Sequence, residues 1–245
     1  MDTRDTTSQR DTQPHLVAVR AGPVTLEGVL DIPAGAQGIV LFAHGSGSSR
    51  HSPRNRYVAR ALHEGGLATL LLDLLTAEEE EVDRVTAHLR FDIGLLADRV
   101  VGATDWLLQY PETRGLRIGY FGASTGAAAA LVAASQRPDV VAAIVSRGGR
   151  PDLAGPTLPS VRTPTLLIVG ELDYQVITMN EDALRRLPGE KRLTIVPGAT
   201  HLFEEPGTLE EVARLARDWF TRYLTEPAPG QIHAPGEAGH PEMGR

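Results

Sequence analysis

The chain has 245 residues, enough for one sizeable α/β core and with no sign that either half folds separately. Its 24 Lys and Arg stand against 31 Asp and Glu, and the net charge of −7 repels phosphate backbones and anionic membranes, which argues against nucleic acid or membrane partners. With no cysteine there is no disulfide framework, no thiolate metal site and no cysteine nucleophile, so covalent catalysis needs another side chain.

Taken in chain order, residues 1–13 read as a polar lead without the apolar stretch of a signal peptide, and no apolar run approaches the ~20 residues that cross a bilayer. Together with the missing cysteines, this makes a cytoplasmic protein the expectation. HLVAVR (15–20) and VTLEGVLDIP (24–33), either side of Ala21-Gly22-Pro23, predict an opening β-hairpin. Near-continuous apolar runs follow at 38–45, 67–75, 116–122, 140–146, 164–170 and 192–198, the pattern of parallel strands buried on both faces. Helical patterns fill the gaps at about 53–65, 80–110, 124–136, 180–187 and 208–224. The run Glu78 to Glu81 reads as a solvated first turn capped by Thr76, and the last helix opens with Thr208 and Glu211 in capping-box spacing. From 226 onward, proline and glycine without periodicity read as a flexible tail. The alternation predicts a single α/β domain over 14–225, a mostly parallel twisted sheet of about eight strands with helices on both faces. Chemistry in such sheets gathers at the carboxyl ends of the strands.

Gly122-Ala123-Ser124-Thr125-Gly126 has the form G-x-S-x-G and falls between a predicted strand and a predicted helix. A serine in so tight a turn needs very small neighbours, which the two glycines supply. The turn lifts the hydroxyl clear of the sheet, and the helix N-terminus offers N–H groups to a developing oxyanion. A serine hydroxyl also needs a base, and the base an orienting acid. In this type of fold they follow the serine in the order acid, then histidine. Of the histidines downstream, His233 and His240 fall in the tail, leaving His201 in VPGATHLFEEPG. For the acid, the loop after PTLLIVG offers Asp173, with Glu171 as the alternative, whereas Asp139 precedes its strand and sits at the wrong end of the sheet. The second oxyanion donor is expected in GIVLFAHGSGSSR, where the N–H of Ser46 or Gly47 would pair with that of Thr125, and Ser46 is preferred. His44 reads as orienting this loop. The same glycines resemble a dinucleotide loop but lack the third glycine.

With Ser124, Asp173 and His201 placed, and with FAHGSG before them, the chain resembles the α/β-hydrolase superfamily over about 15–224, and within it the dienelactone hydrolase-like branch. Dienelactone hydrolases proper carry a cysteine nucleophile where Ser124 stands here. The resemblance implies an α/β-hydrolase fold and cleavage of small carboxylic esters or lactones through an acyl-enzyme, with no metal or organic cofactor. A serine peptidase or thioesterase would share the three residues, and a non-catalytic scaffold on the same frame is the reading from a different class. The implied partner is a small-molecule ester, and the chain is expected to be a monomer or homodimer. The segment between the fourth strand and Tyr110 is short for a lid domain, so an open site is expected. Two basic clusters follow strand ends, Arg50, His51, Arg54 and Arg56, then Arg147 and Arg150; Arg147 is taken as a substrate-binding residue because it directly follows the strand after the nucleophile helix.

Overall fold

The alternation of apolar and polar residues in the opening hairpin and the unbroken apolar runs after it produce two kinds of strand. The structure is a computed structural model and describes residues 14–225; the expected lead (1–13) and tail (226–245), with His233 and His240, lie outside the described residues. β1 (His15–Ala21) alternates in burial and pairs antiparallel with β2 (Val24–Asp31) along its whole length. Strands β3 (Gly38–Ala43), β4 (Leu67–Leu72) and β7 (Thr165–Gly170) are buried at every position, as strands covered on both faces require. With β5 (Arg117–Ala123), β6 (Val141–Arg147) and β8 (Lys191–Val196) they form one eight-stranded sheet, in the order β1-β2-β4-β3-β5-β6-β7-β8. From β4 to β8 every neighbouring pair is parallel, so the carboxyl ends of β3, β5, β6, β7 and β8 share one edge.

Two apolar layers hold the helices. On one face Val58 and Leu62 of α1 (Pro53–Glu64) and Val212, Ala216 and Phe220 of α6 (Thr208–Leu224) pack against Val40, Phe42, Phe121 and Val145. On the other face α3 (Ile93–Gln109) and α4 (Thr125–Gln136) pack against Leu41, Tyr120 and Ile144. α4 is buried along nine of its twelve residues, which explains its run of alanines: a helix pressed between the sheet and α3 needs short side chains of high helix propensity. A 3-10 stretch over Pro151–Ser160 and α5 (Tyr174–Arg186) complete this layer.

Three local expectations are corrected, and one stretch of helix was not expected. The pattern at 80–110 is two helices, α2 (Ala77–Thr86) and α3, because the buried Asp83 carboxylate accepts from the N–H groups of Leu89 (2.6 Å) and Arg90 (3.1 Å) and from Arg90 Nε (2.5 Å), capturing the chain as it leaves α2. The capping box expected at Thr208 does not form. Gly207 is the cap residue, at φ 81°, and the Thr208 hydroxyl instead donates to Glu205 O at 2.7 Å. At Thr76 the box does form, with Glu79 closing it. α5 starts six residues before the expected 180, and the 3-10 stretch had no sequence signal because Pro156 and Pro159 interrupt its pattern.

Candidate active site

Ser124 joins β5 to α4 at φ 50° and ψ −118°, a conformation that costs a non-glycine residue about 1–3 kcal/mol. Packing imposes it. A Cβ on Gly122 would lie 2.4 Å from Ala127 Cα, and one on Gly126 would lie 2.2 Å from Ala43 O, so both glycines of the G-x-S-x-G motif are required by the closeness of helix to strands. Backbone bonds to the end of β6 and beyond fix the turn: Ser124 N–H donates to Arg147 O (3.3 Å), and Ser124 O accepts from Arg150 N–H (3.1 Å) and Ala127 N–H (3.1 Å).

The structure brings two of the three expected catalytic residues into direct contact. Asp173 sits just beyond β7, at the cap of α5, and His201 lies in the loop between β8 and α6. His201 Nδ1 and Asp173 Oδ2 are 2.6 Å apart, the geometry in which the carboxylate fixes the ring tautomer and leaves Nε2 as the acceptor. The ring lies against Gly148, where a Cβ would come within 3.4 Å of Cε1. Ser124 and His201 therefore both border the Arg147–Gly148 segment. No hydrogen bond joins the Ser124 hydroxyl directly to the ring among the described residues. Glu171, the alternative acid, has a different place: its Oε2 accepts from Gly198 N–H at 2.7 Å and ties the acid loop to the histidine loop. Glu205, which the sequence did not single out, holds the histidine loop through Thr200 N–H (3.1 Å) and Oγ1 (2.6 Å).

Thr125 N–H opens α4 and has no carbonyl within the helix to bond. Ser46, the expected second oxyanion donor, is adjacent but not open: its N–H donates to Thr125 Oγ1 at 2.9 Å. The threonine hydroxyl thus occupies the donor that an oxyanion would take. His44 orients this loop, as its position suggested. Nδ1 donates to Gly45 O (2.9 Å) while Nε2 accepts from Leu74 N–H (3.1 Å), which requires the neutral ring, and burial pushes its pKa down. Ser46 and Thr125 also form part of the wall of a cleft of about 630 Å³ that runs past Arg54, Arg84 and Arg90.

Three of the arginines in the expected basic clusters, Arg50, Arg54 and Arg150, pair with carboxylates. Arg50 pairs with Asp73 and Glu27, Arg150 takes Asp152 through two nitrogens, and Arg56 Nη2 bonds His51 Nδ1. Arg54 pairs with Glu204 at 3.1 Å. Arg147 differs: only 8% of it is exposed, its Nε and Nη1 have no hydrogen-bond partner, and no carboxylate reaches it among the described residues.

Residues 26–225 match the family described as the dienelactone hydrolase family. The chain belongs to it. A dienelactone hydrolase of Anabaena variabilis is 66% identical, with a TM-score of 0.86 over 88% of this chain and all of that one. Est1E of Butyrivibrio proteoclasticus is 15% identical with a TM-score of 0.72 over 86% of this chain and 99% of that one, a likeness of fold alone. A Mycobacterium tuberculosis protein named "Putative phosphoribosyl transferase" is 60% identical over 213 residues, which are 87% of this chain but 47% of that protein. The chain thus spans about half the length of the curated relatives it matches. Its fold is that of the α/β-hydrolases. Among the described residues, no helix is long and apolar enough to cross a membrane.

Proposed function

We propose that the protein is a serine hydrolase that cleaves small carboxylic esters or lactones through an acyl-enzyme, with Ser124 as nucleophile, His201 as base and Asp173 as the acid that orients it. The observation that carries the proposal is Ser124 itself, a residue kept at a costly backbone conformation on a helix N-terminus, beside a histidine already oriented by a carboxylate. His201 Nε2 takes the hydroxyl proton as Ser124 Oγ attacks the carbonyl carbon, and the carbonyl electron pair moves onto oxygen. Thr125 N–H and Ser46 N–H bind that oxyanion, which displaces the Thr125 hydroxyl from Ser46. The intermediate collapses as the C–O bond to the alcohol breaks, and the imidazolium returns the proton to the departing alkoxide. Water then attacks the acyl-enzyme by the same steps and frees the acid and Ser124. The chain's own groups supply every proton and charge this scheme needs, so it calls for no metal or organic cofactor.

The phosphoribosyl transferase name is not carried over. It belongs to proteins about twice as long, and most of this chain is accounted for by the hydrolase family. A fluorophosphonate probe tests the core of the proposal: a single adduct on Ser124 is expected in the native protein and none in Ser124→Ala. Rates on nitrophenyl esters of graded acyl length, beside a lactone, a thioester and a peptide anilide, then assign the class. Absence of an adduct on folded protein would leave a scaffold on a hydrolase frame.

A further inference from the structure

The hydroxyl that bonds Ser46 N–H belongs to the residue directly after the proposed nucleophile. Thr125 is only 3% exposed, lines the cleft together with Ser46, and among the described residues makes this one side-chain hydrogen bond. The loop that carries Ser46 keeps its course without it. Gly45 O, the carbonyl of the peptide whose N–H is in question, accepts from His44 Nδ1 at 2.9 Å and from Ser48 N–H at 3.1 Å. His44 is itself held through Leu74 N–H at 3.1 Å, and a Cβ on Gly45 would come within 3.1 Å of Ser124 Cβ. A peptide is planar, so a carbonyl fixed on one side aims the N–H on the other. Ser46 N–H therefore points at Thr125 whether or not a hydroxyl is there to meet it, and Thr125 is an occupant of this donor rather than its support.

We propose that the Thr125 hydroxyl is a built-in competitor for the oxyanion hole, which holds Ser46 N–H until an oxygen bearing developing charge displaces it and so weakens substrate binding without slowing the chemical step. The catalytic part of this statement rests on the serine hydrolase reading above; the competition for Ser46 N–H does not. An ester carbonyl is a neutral acceptor, as the hydroxyl is, so exchanging one for the other gains nothing and Ser46 adds little to the bound substrate. An oxyanion accepts a charge-assisted hydrogen bond, roughly twice as strong, and takes the N–H over. The donor thus acts in the transition state and is withheld from the ground state. A side chain without an acceptor removes the competitor from both states alike: the substrate carbonyl then bonds Ser46 N–H from the outset, and the transition state keeps the bond it had.

Thr125→Val preserves the shape of the residue and removes the acceptor, and Ser46 is exposed, so water takes its N–H in the free variant. With a nitrophenyl ester in excess of enzyme, the burst of nitrophenol separates binding from acylation. The variant should reach half its saturating burst rate at about fivefold lower ester concentration, the equivalent of one ordinary hydrogen bond, while the saturating rate stays within about twofold of native. Thr125→Ser, which returns the acceptor, should reverse the fall. A saturating rate below that margin, at the extreme the roughly hundredfold loss of an oxyanion donor, would make the hydroxyl a donor or the support of the loop and overturns the competition. An unchanged half-saturation overturns it as well. A second measurement needs no turnover: in equilibrium dialysis, the ketone in which a methylene replaces the ester oxygen should bind Thr125→Val about fivefold more tightly than the native protein. Equal ketone binding beside active hydrolysis overturns the competition alone. Tighter ketone binding with no nitrophenol released and no fluorophosphonate adduct supports the competition and overturns the hydrolase reading instead. If Thr125→Val does not fold, Thr125→Ala, which also lacks the acceptor, reads the same two quantities.

Discussion

The described residues include two groupings of an aspartate, a histidine and a hydroxyl. At the carboxyl edge of the sheet Asp173 and His201 stand beside Ser124; elsewhere His63 of α1 bonds Thr69 Oγ1 through Nε2 (2.8 Å) and faces Asp31 through Nδ1 (3.2 Å). By hydrogen bonds alone the second grouping is the more complete, since its hydroxyl is already joined to the ring. Thr69, however, is fully buried in the middle of β4, directly opposite Asp31 in the ladder, with ordinary strand backbone and no helix N-terminus beside it. Ser124 is held where φ is positive, at the mouth of a helix, and among the described residues its hydroxyl makes no hydrogen bond. The difference teaches that the same three groups make a core contact or a candidate reaction centre according to what surrounds the oxygen. Accessibility and donors for developing charge matter more than a ready-made hydrogen bond.

Removing each hydroxyl is the sharpest test of that contrast. Ser124→Ala should lower kcat for ester hydrolysis by about 10⁶-fold, the loss seen when a serine nucleophile is deleted from an acting triad. Thr69→Val should leave steady-state rates within about twofold and cost about 1 kcal/mol of stability in denaturant titration, the penalty for stranding a partly buried ring nitrogen. Comparable rate losses in both variants would erase the distinction. Next in size is the acid. Asp173→Asn should reduce kcat by about 10⁴-fold through the wrong ring tautomer while the fold persists, checked by circular dichroism beside the rate assay.

The elbow that separates the two groupings can itself be broken. In Gly126→Ala the new methyl must push against Ala43 O, and because backbone lies on both sides nothing there yields cheaply. A stability loss of about 3 kcal/mol is expected, read as the urea midpoint at unchanged slope. Near-native stability would mean that the elbow is looser than its contacts imply.

These contrasts also explain what could be read from the residues alone. The buried parallel strands were legible because a strand covered on both faces must be apolar at nearly every position, as β3, β4 and β7 are. The elbow was legible because Gly122 and Gly126 leave no freedom in type. Asp173 and His201 were legible through chain order, since loops that follow successive strands meet at one edge. What was hidden depends on contacts across the fold. Asp31 and His63 carry no motif, and only pairing of β2 with β4 brings Asp31 to Thr69 and to the ring of His63. The engagement of Ser46 N–H requires a hydroxyl 79 residues away. Arg147 read as one of several arginines near strand ends, and nothing in its neighbours announced that its side chain would be enclosed without an anion.

The smallest effect distinguishes the two histidines by pH. Burial lowers the pKa of His63 despite the opposing field of Asp31, and burial lowers that of His44 as well. In the unfolded chain both return to an ordinary value of about 6.5. Between the lowered folded values and about 6.5, the unfolded state therefore binds more protons than the folded one, so stability rises with pH across that window. Folding free energy should be at its full value above about pH 6.5 and decline as the solution is acidified below it. His63→Asn should flatten the His63 share of that slope in urea titrations between neutral and mildly acidic pH, while the pH profile of hydrolysis keeps its native shape. A matching shift in the hydrolysis profile would join the two groupings functionally and remove the separation drawn between them, whereas an unaltered stability slope would show that His63 titrates alike in the folded and unfolded chains.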